Sequence, residues 1–258
     1  MTVSADRISL SVGQPGVGTL LRCLARCYVA GGAFNTRGLQ NIGLAYVMEP
    51  GLRAIYLDRT ELKSAWQRYL KVYNTHPFWT PLLAGIFLSL ETKISRGLVP
   101  ADMLEKVKGT TAFTLSALGD SFFGGSASVA WALVSCCLVG LGAPWAAFWL
   151  GVACFAGLQV FRAATLLLGF RQGFLALQVV KRWSLINWGR RVKVCNALFL
   201  LVLWRIAMPA SPRPLHWGLL AAGLGLSVLV VSKAGWAREA ALVLALAAIP
   251  FFSWLGMW

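Results

Sequence analysis

Acidic side chains are scarce in this 258-residue chain: 9 Asp and Glu stand against 24 Lys and Arg, and charged residues make up only 13% of the whole. Soluble domains carry roughly 25%, so the shortage excludes a water-exposed globule. Histidine is scarcer still. Neither His76 nor His216 has Cys, Asp or Glu beside it at metal-ligand spacing, which argues against zinc. No G-x-S-x-G elbow is present, and the GQPGVGTL run lacks the lysine of a phosphate-binding loop. No catalytic constellation emerges, and no cofactor is called for. Residues 1 to 20 are polar, include Asp6 and lack an apolar core, so no cleaved signal peptide is expected. Cys23 and Cys27 lie four apart, Cys136 and Cys137 are adjacent, and Cys154 and Cys195 stand alone; the expectation is free, buried thiols.

What the chain has in abundance is apolar sequence, at 58% of residues. It comes in blocks at Ala127 to Gly142, Pro144 to Phe161, Cys195 to Pro209, Leu215 to Ser232 and Ala240 to Trp258, separated by Gly, Pro or basic residues. Each approaches the roughly 17 to 25 residues of a spanning helix, which predicts about five spans in the lipid bilayer. The net charge of +15 is spread between these blocks and forms no aromatic-interleaved run. Retention of basic loops on the cytoplasmic side explains it, and no nucleic-acid partner is expected. Residues 162 to 193 carry seven cations and no acid and are expected to be cytoplasmic. Arg162 within them is expected to snorkel to the interface.

Upstream of the spans, ELKSAWQRYLKVY places Leu62, Trp66, Tyr69, Leu70 and Tyr73 on one helical face, with Thr60 as N-cap. That helix either lies on the membrane surface or packs on a protein core. GGAFNTRGLQNIGLAYVMEPGLRAIY is a second helical stretch, with Pro50-Gly51 as its stop and the polar Asn35, Gln40 and Asn41 near its start. Two further stretches, FWTPLLAGIFLSLE and TTAFTLSALGDSFFGGS, are too short or too interrupted to cross simply, and suit re-entrant or broken helices around a transport site.

Glu91 and Asp120 belong to these two stretches. An ionised carboxylate at membrane depth costs at least about 2.5 to 3.5 kcal/mol and usually has a functional reason. Carboxylates accept hydrogen bonds from paired hydroxyls, as a sugar presents. The structural alternatives are pairing of Glu91 with Lys93 or Lys108, and capping by Asp120 in a glycine-rich turn. In KVYNTHPFWTP, Asn74 and His76 offer both donors and acceptors to hydroxyls, while Pro77 begins a new segment. Asn74 and Thr75 as helix caps are the simpler alternative. Trp66 and Trp79 flank this threshold, where one ring has the shape to stack on a pyranose.

In this order the polar landmarks resemble the IID membrane component of the mannose/fructose/sorbose-type sugar phosphotransferase system. YNTHPF is similar to the family's F-N-T-[HQ]-P-F run. AFNTRGLQNIGLAYVMEPGLRAIY, Lys108 with LGDSFFGGS, and LQVFRAATLLLGFRQGF resemble its other elements, so that the resemblance covers about residues 20 to 190. Ser121 stands where the family has Pro, Gly124 where it has Trp, and Phe113-Thr114 where it has Gly-Pro. The resemblance implies a multi-pass subunit of the bacterial cytoplasmic (inner) membrane that pairs with a IIC chain, commonly as a trimer of IIC-IID pairs. It would move a hexose-type sugar that IIA and IIB proteins phosphorylate, and would not be catalytic alone. The substrate-binding set is then Asn74, His76, Glu91 and Asp120, with Asn35, Gln40 and Asn41 adding contacts or joining the IIC interface. A non-transporting scaffold that keeps the fold is the alternative.

The expected fold is therefore an all-α polytopic membrane protein with about five spanning helices, re-entrant or broken helices and N-terminal amphipathic helices. Residues 1–73 form the amphipathic part, 74–126 the substrate region and 127–258 the transmembrane part.

Overall fold

The computed structural model describes residues 13–207 together with Gly218, Ala222, Gly223 and Gly225. The chain divides into a unit ending at Leu203 and a second beginning at Trp204. The expected spans Leu215 to Ser232 and Ala240 to Trp258 lie outside the described residues, and the expected block Cys195 to Pro209 is met as far as Ala207.

The described elements are α1 (Val17–Arg26), α2 (Asn41–Ile55), α3 (Arg59–Tyr69), α4 (Thr80–Ser95), α5 (Ala101–Gly119), a π-helical segment (Asp120–Ala127), α6 (Ser128–Gly140), α7 (Pro144–Gln172), α8 (Ala176–Arg182) and α9 (Leu185–Ala207). Short 3-10 turns cover Ala30–Ala33 and Gly173–Leu175. Two apolar helical runs, Ala101–Gly140 and Pro144–Ala207, have the length and composition to cross a membrane. Outward-facing Trp131, Val139, Phe148, Trp149, Phe155 and Val160 suit contact with lipid rather than water.

At the centre stands α4. Every side chain from Thr80 to Glu91 is buried, as a helix that is apolar all round requires. Its 16 residues extend roughly 24 Å. Its closest neighbour is α7, and two glycines explain the approach. A Cβ at Gly85 would overlap the Leu166 carbonyl, and one at Gly169 would overlap the Leu82 carbonyl. Because each helix lends a glycine to the crossing, the backbones meet directly. For the same reason α7 does not stop at Phe161: it continues to Gln172, and its buried Arg162, Thr165, Leu166 and Gly169 face inward. The first part of the 162–193 basic segment is thus helix with its inner face buried, and Arg162, only 5% exposed, does not snorkel.

Local chemistry shifts several element ends from where the sequence suggests them. Pro50 and Gly51 lie inside α2 instead of stopping it. Proline cannot donate to the carbonyl four residues earlier, but that carbonyl, on Tyr46, accepts from Arg26 Nη1 at 2.8 Å. The N-cap of α3 is Asp58, whose Oδ1 accepts from Thr60 N at 2.8 Å and Glu61 N at 3.0 Å; the carboxylate takes the role expected of Thr60. Tyr69 is fully buried while Trp66 and Leu70 are each 40% exposed, so α3 packs on the protein's own core.

Around Asp120 the expected turn is absent, and the backbone stays helical but widens to π geometry. Ser126 closes the widened stretch, its Oγ donating to the Ser121 carbonyl at 2.9 Å. Asn196 Nδ2 of α9 donates to the Ser126 carbonyl at 3.0 Å. Carbonyls loosened by the bulge are therefore satisfied internally, which membrane depth demands.

Candidate functional site

The seven candidate residues fall into three clusters. The first is a polar knot between the loop before α2 and the segment after α3. Asn35 Nδ2 donates to Asn41 Oδ1 at 2.9 Å, and Asn35 Oδ1 accepts from Gly38 N at 2.8 Å. Asn41 Nδ2 donates to the Leu70 carbonyl at 2.5 Å, and Gln40 Oε1 accepts from Thr75 N at 3.2 Å. Backbone bonds run from Gln40 N to Tyr73 O at 2.8 Å and from Tyr73 N to Gly38 O at 3.2 Å. Leu39, at a positive φ of 59°, pairs with Tyr73 in a short parallel bridge. These bonds pull Tyr73 off the expected helical face and consume the hydrogen-bonding capacity of Asn35 and Asn41. Both amides brace the segment that carries Asn74 and His76.

The second cluster surrounds Glu91, which is fully buried. Its carboxylate accepts from Tyr56 Oη at 2.7 Å and Tyr69 Oη at 2.8 Å, and from Arg68 through Nε at 3.1 Å and Nη2 at 2.5 Å. Burial first, and then the Glu91 charge, hold the Tyr69 hydroxyl well above its usual range, so it stays a donor. Four donors meet the acceptor capacity of one carboxylate. Glu91 is therefore occupied by the protein itself, and its partner is Arg68 rather than Lys93 or Lys108. Lys108 Nζ instead donates to the Arg68 carbonyl at 2.6 Å.

His76, Asp120 and an aromatic floor make the third cluster. The His76 ring stacks on Phe123, with centroids 5.5 Å apart and planes inclined 21°, and meets Phe78 edge-on at 4.9 Å. Gly119 lies against it so closely that a Cβ would overlap His76 Cβ. Phe78 N donates to His76 Nδ1 at 3.3 Å, which assigns the proton of the neutral ring to Nε2. Burial lowers the histidine below its ordinary value, and attraction to the Asp120 carboxylate opposes this only in part, so His76 is neutral at pH 7. Asp120 is exposed, and its carboxylate makes no hydrogen bond or ion pair among the described residues. Asn74 is half-buried, and its amide makes no hydrogen bond among the described residues. A neutral N–H donor, a free carboxylate and a free amide thus lie along one short segment and the helix beside it. Trp79 is fully buried against Phe123 and Phe161 and has no open face for a ring.

A groove of about 550 Å³ runs from Phe78 and Phe123 along α6 and α7. A second cleft of about 480 Å³, lined by Glu49, Arg53, Arg59, Lys63 and Trp66, shares no residue with it. Sequence reasoning missed Arg68, Tyr56 and Phe123. Arg68 sits on the polar face of a helical pattern, and nothing in its spacing marks a carboxylate partner 23 residues away.

Residues 17–202 match the family described as PTS system mannose/fructose/sorbose family IID component. The chain belongs to this family. The IID chain is 30% identical over 97 residues to the PTS system mannose-specific EIID component of Escherichia coli (strain K12). It is 27% identical over 96 residues to the Fructose permease IID component of Bacillus subtilis (strain 168). Each match covers 37% of the IID chain and about a third of the relative, 34% and 35%. Two solved structures share the fold over 92% of the IID chain and 97% of their own. One, described as "Structure of membrane protein", has a TM-score of 0.63 at 16% identity. The other, described as "CryoEM Structure of Mannose Transporter ManYZ and Microcin E492 (MceA) complex", has a TM-score of 0.51 at 18% identity. The IID chain is an all-α membrane protein.

Proposed function

We propose that this IID chain works as a multi-pass subunit of a sugar permease in the bacterial inner membrane. It pairs with a IIC chain, commonly as a trimer of such pairs, and carries a hexose-type sugar inward for phosphorylation by IIA and IIB. The observation that carries the reading is the corner formed by His76 and Asp120, a neutral N–H donor and an exposed carboxylate, with the half-buried Asn74 two residues before His76. A hydroxyl-rich, uncharged ligand needs this mixture of donor and acceptor, because each sugar hydroxyl both gives and takes a hydrogen bond. Glu91, Asn35, Gln40 and Asn41 serve the site indirectly, by holding α3 and the 70–76 segment in place. On this reading phosphoryl transfer belongs to the IIA and IIB partners.

Uptake of labelled hexose in a strain lacking its own transporters, supplied with the complete partner set, tests the reading. Asp120→Asn and His76→Ala are each expected to lower uptake at least about tenfold, equivalent to about 1.4 kcal/mol, while the membrane complex still assembles. Unchanged uptake in both variants would sink it.

A further inference from the structure

Arg162 is a buried cation that the described fold leaves uncompensated. Its side chain lies on α7 with Cζ 3.8 Å from the centre of the Tyr28 ring. Tyr28 donates its hydroxyl hydrogen to Gln159 Oε1, three positions earlier on the same helix, and so roofs the guanidinium. Nε and Nη2 nevertheless have no acceptor. These two nitrogens form the edge with which arginine grips a carboxylate through two parallel hydrogen bonds.

The described carboxylates are engaged elsewhere or stand apart from it. Arg26 and Arg53 hold Glu49, Arg68 holds Glu91, and Lys71 holds Glu105. Cys27 senses the charge, but burial pushes its thiol up to about 12 against the opposing pull of Arg162, so it stays neutral and supplies no anion. A buried guanidinium facing only an aromatic ring is costly. Removing such a charge is neutral or stabilising unless something outside the described residues pairs with it. Phe155, about two helical turns before Arg162 and on the same face of α7, is 64% exposed and offers an apolar surface to a second membrane helix.

Resting on the reading that this chain pairs with a second membrane chain, we propose that Arg162 is the socket for a carboxylate side chain on an intramembrane helix of that partner. Tyr28 leaves Gln159 as the carboxylate enters and accepts hydrogen bonds from Nε and Nη2. A planar two-oxygen acceptor matches the free edge, and among the described residues no carboxylate forms an ion pair with Arg162.

Full-length chain in detergent, alone and co-purified with its IIC partner, tests this with Arg162→Met and Arg162→Lys. Alone, Arg162→Met is expected to unfold at the wild-type temperature or above it. In the pair, retained partner should fall at least about tenfold for Arg162→Met and less for Arg162→Lys. A lower unfolding temperature for the isolated Arg162→Met chain would make Arg162 an internal brace and overturn the proposal. So would unchanged partner retention, or loss of bound phosphatidylglycerol with retention intact, which would mark a lipid site. If the wild-type chain retains no partner, the pairing itself fails and the socket with it.

Discussion

Glu91 and His76 are both polar residues in an apolar stretch, yet they do opposite work. Glu91 is closed off by Tyr56, Tyr69 and Arg68, so Glu91→Gln should leave the Arg68 guanidinium, 14% exposed, without its counter-charge. The expected loss is about 3 to 5 kcal/mol, read from unfolding in detergent, whereas Tyr56→Phe should cost about 1 kcal/mol. Wild-type stability in Glu91→Gln would contradict the structural role. For His76 the sign runs the other way from a paired histidine. Its folded value lies below the ordinary 6.5 because burial disfavours the cation. Between 6.5 and that lower value the unfolded chain binds more protons, so stability present above 6.5 is lost as pH falls through the window. His76→Gln should flatten this acid limb of the unfolding midpoint against pH, and an unchanged slope would assign it to another group. Both residues were legible in the sequence as out of place. Only their surroundings separate a brace from an open donor, since spacing carries no record of Arg68.

At the scale of elements, the α4–α7 crossing is where small residues matter most. Gly169→Val would push a side chain into the Leu82 carbonyl and the Ile86 amide, and is expected to cost about 1 to 3 kcal/mol or to splay the helices. Gly157→Ala on the same helix meets nothing within 4 Å and should stay within about 0.5 kcal/mol of wild type. Equal unfolding temperatures for the two variants would refute the close crossing. The helices themselves were readable from apolar periodicity, but several of their ends were not. Pro50 is accommodated because Arg26 serves the orphaned Tyr46 carbonyl, and the Asp120 region stays helical because Ser126 and Asn196 serve the carbonyls of a π bulge. Arg26 and Asn196 reach these carbonyls from 20 and 70 positions away in the sequence.

For the whole molecule, the two apolar runs predict opposite membrane sides for the Leu141–Ala143 turn and the Ser184 turn. In a background with the six native cysteines replaced, Gly142→Cys and Ser184→Cys should react with a membrane-impermeant thiol reagent from opposite faces. Labelling from the same face would rule out the crossing of α7. The native thiols need replacing because, although all six are free, Cys136, Cys154 and Cys195 are exposed and only Cys23, Cys27 and Cys137 are buried.

Composition and hydropathy alone determined the all-α membrane class, because apolar blocks of near-spanning length can satisfy their backbone groups in lipid within a helix. The order of polar landmarks determined the family. Tertiary structure decided which polar residues remain open. Hydrogen-bond capacity is finite, and whether Asn41, Glu91 or Asp120 has any left depends on which donors the fold brings to it. The same accounting leaves the Arg162 fork empty where the sequence suggests only a snorkelling cation.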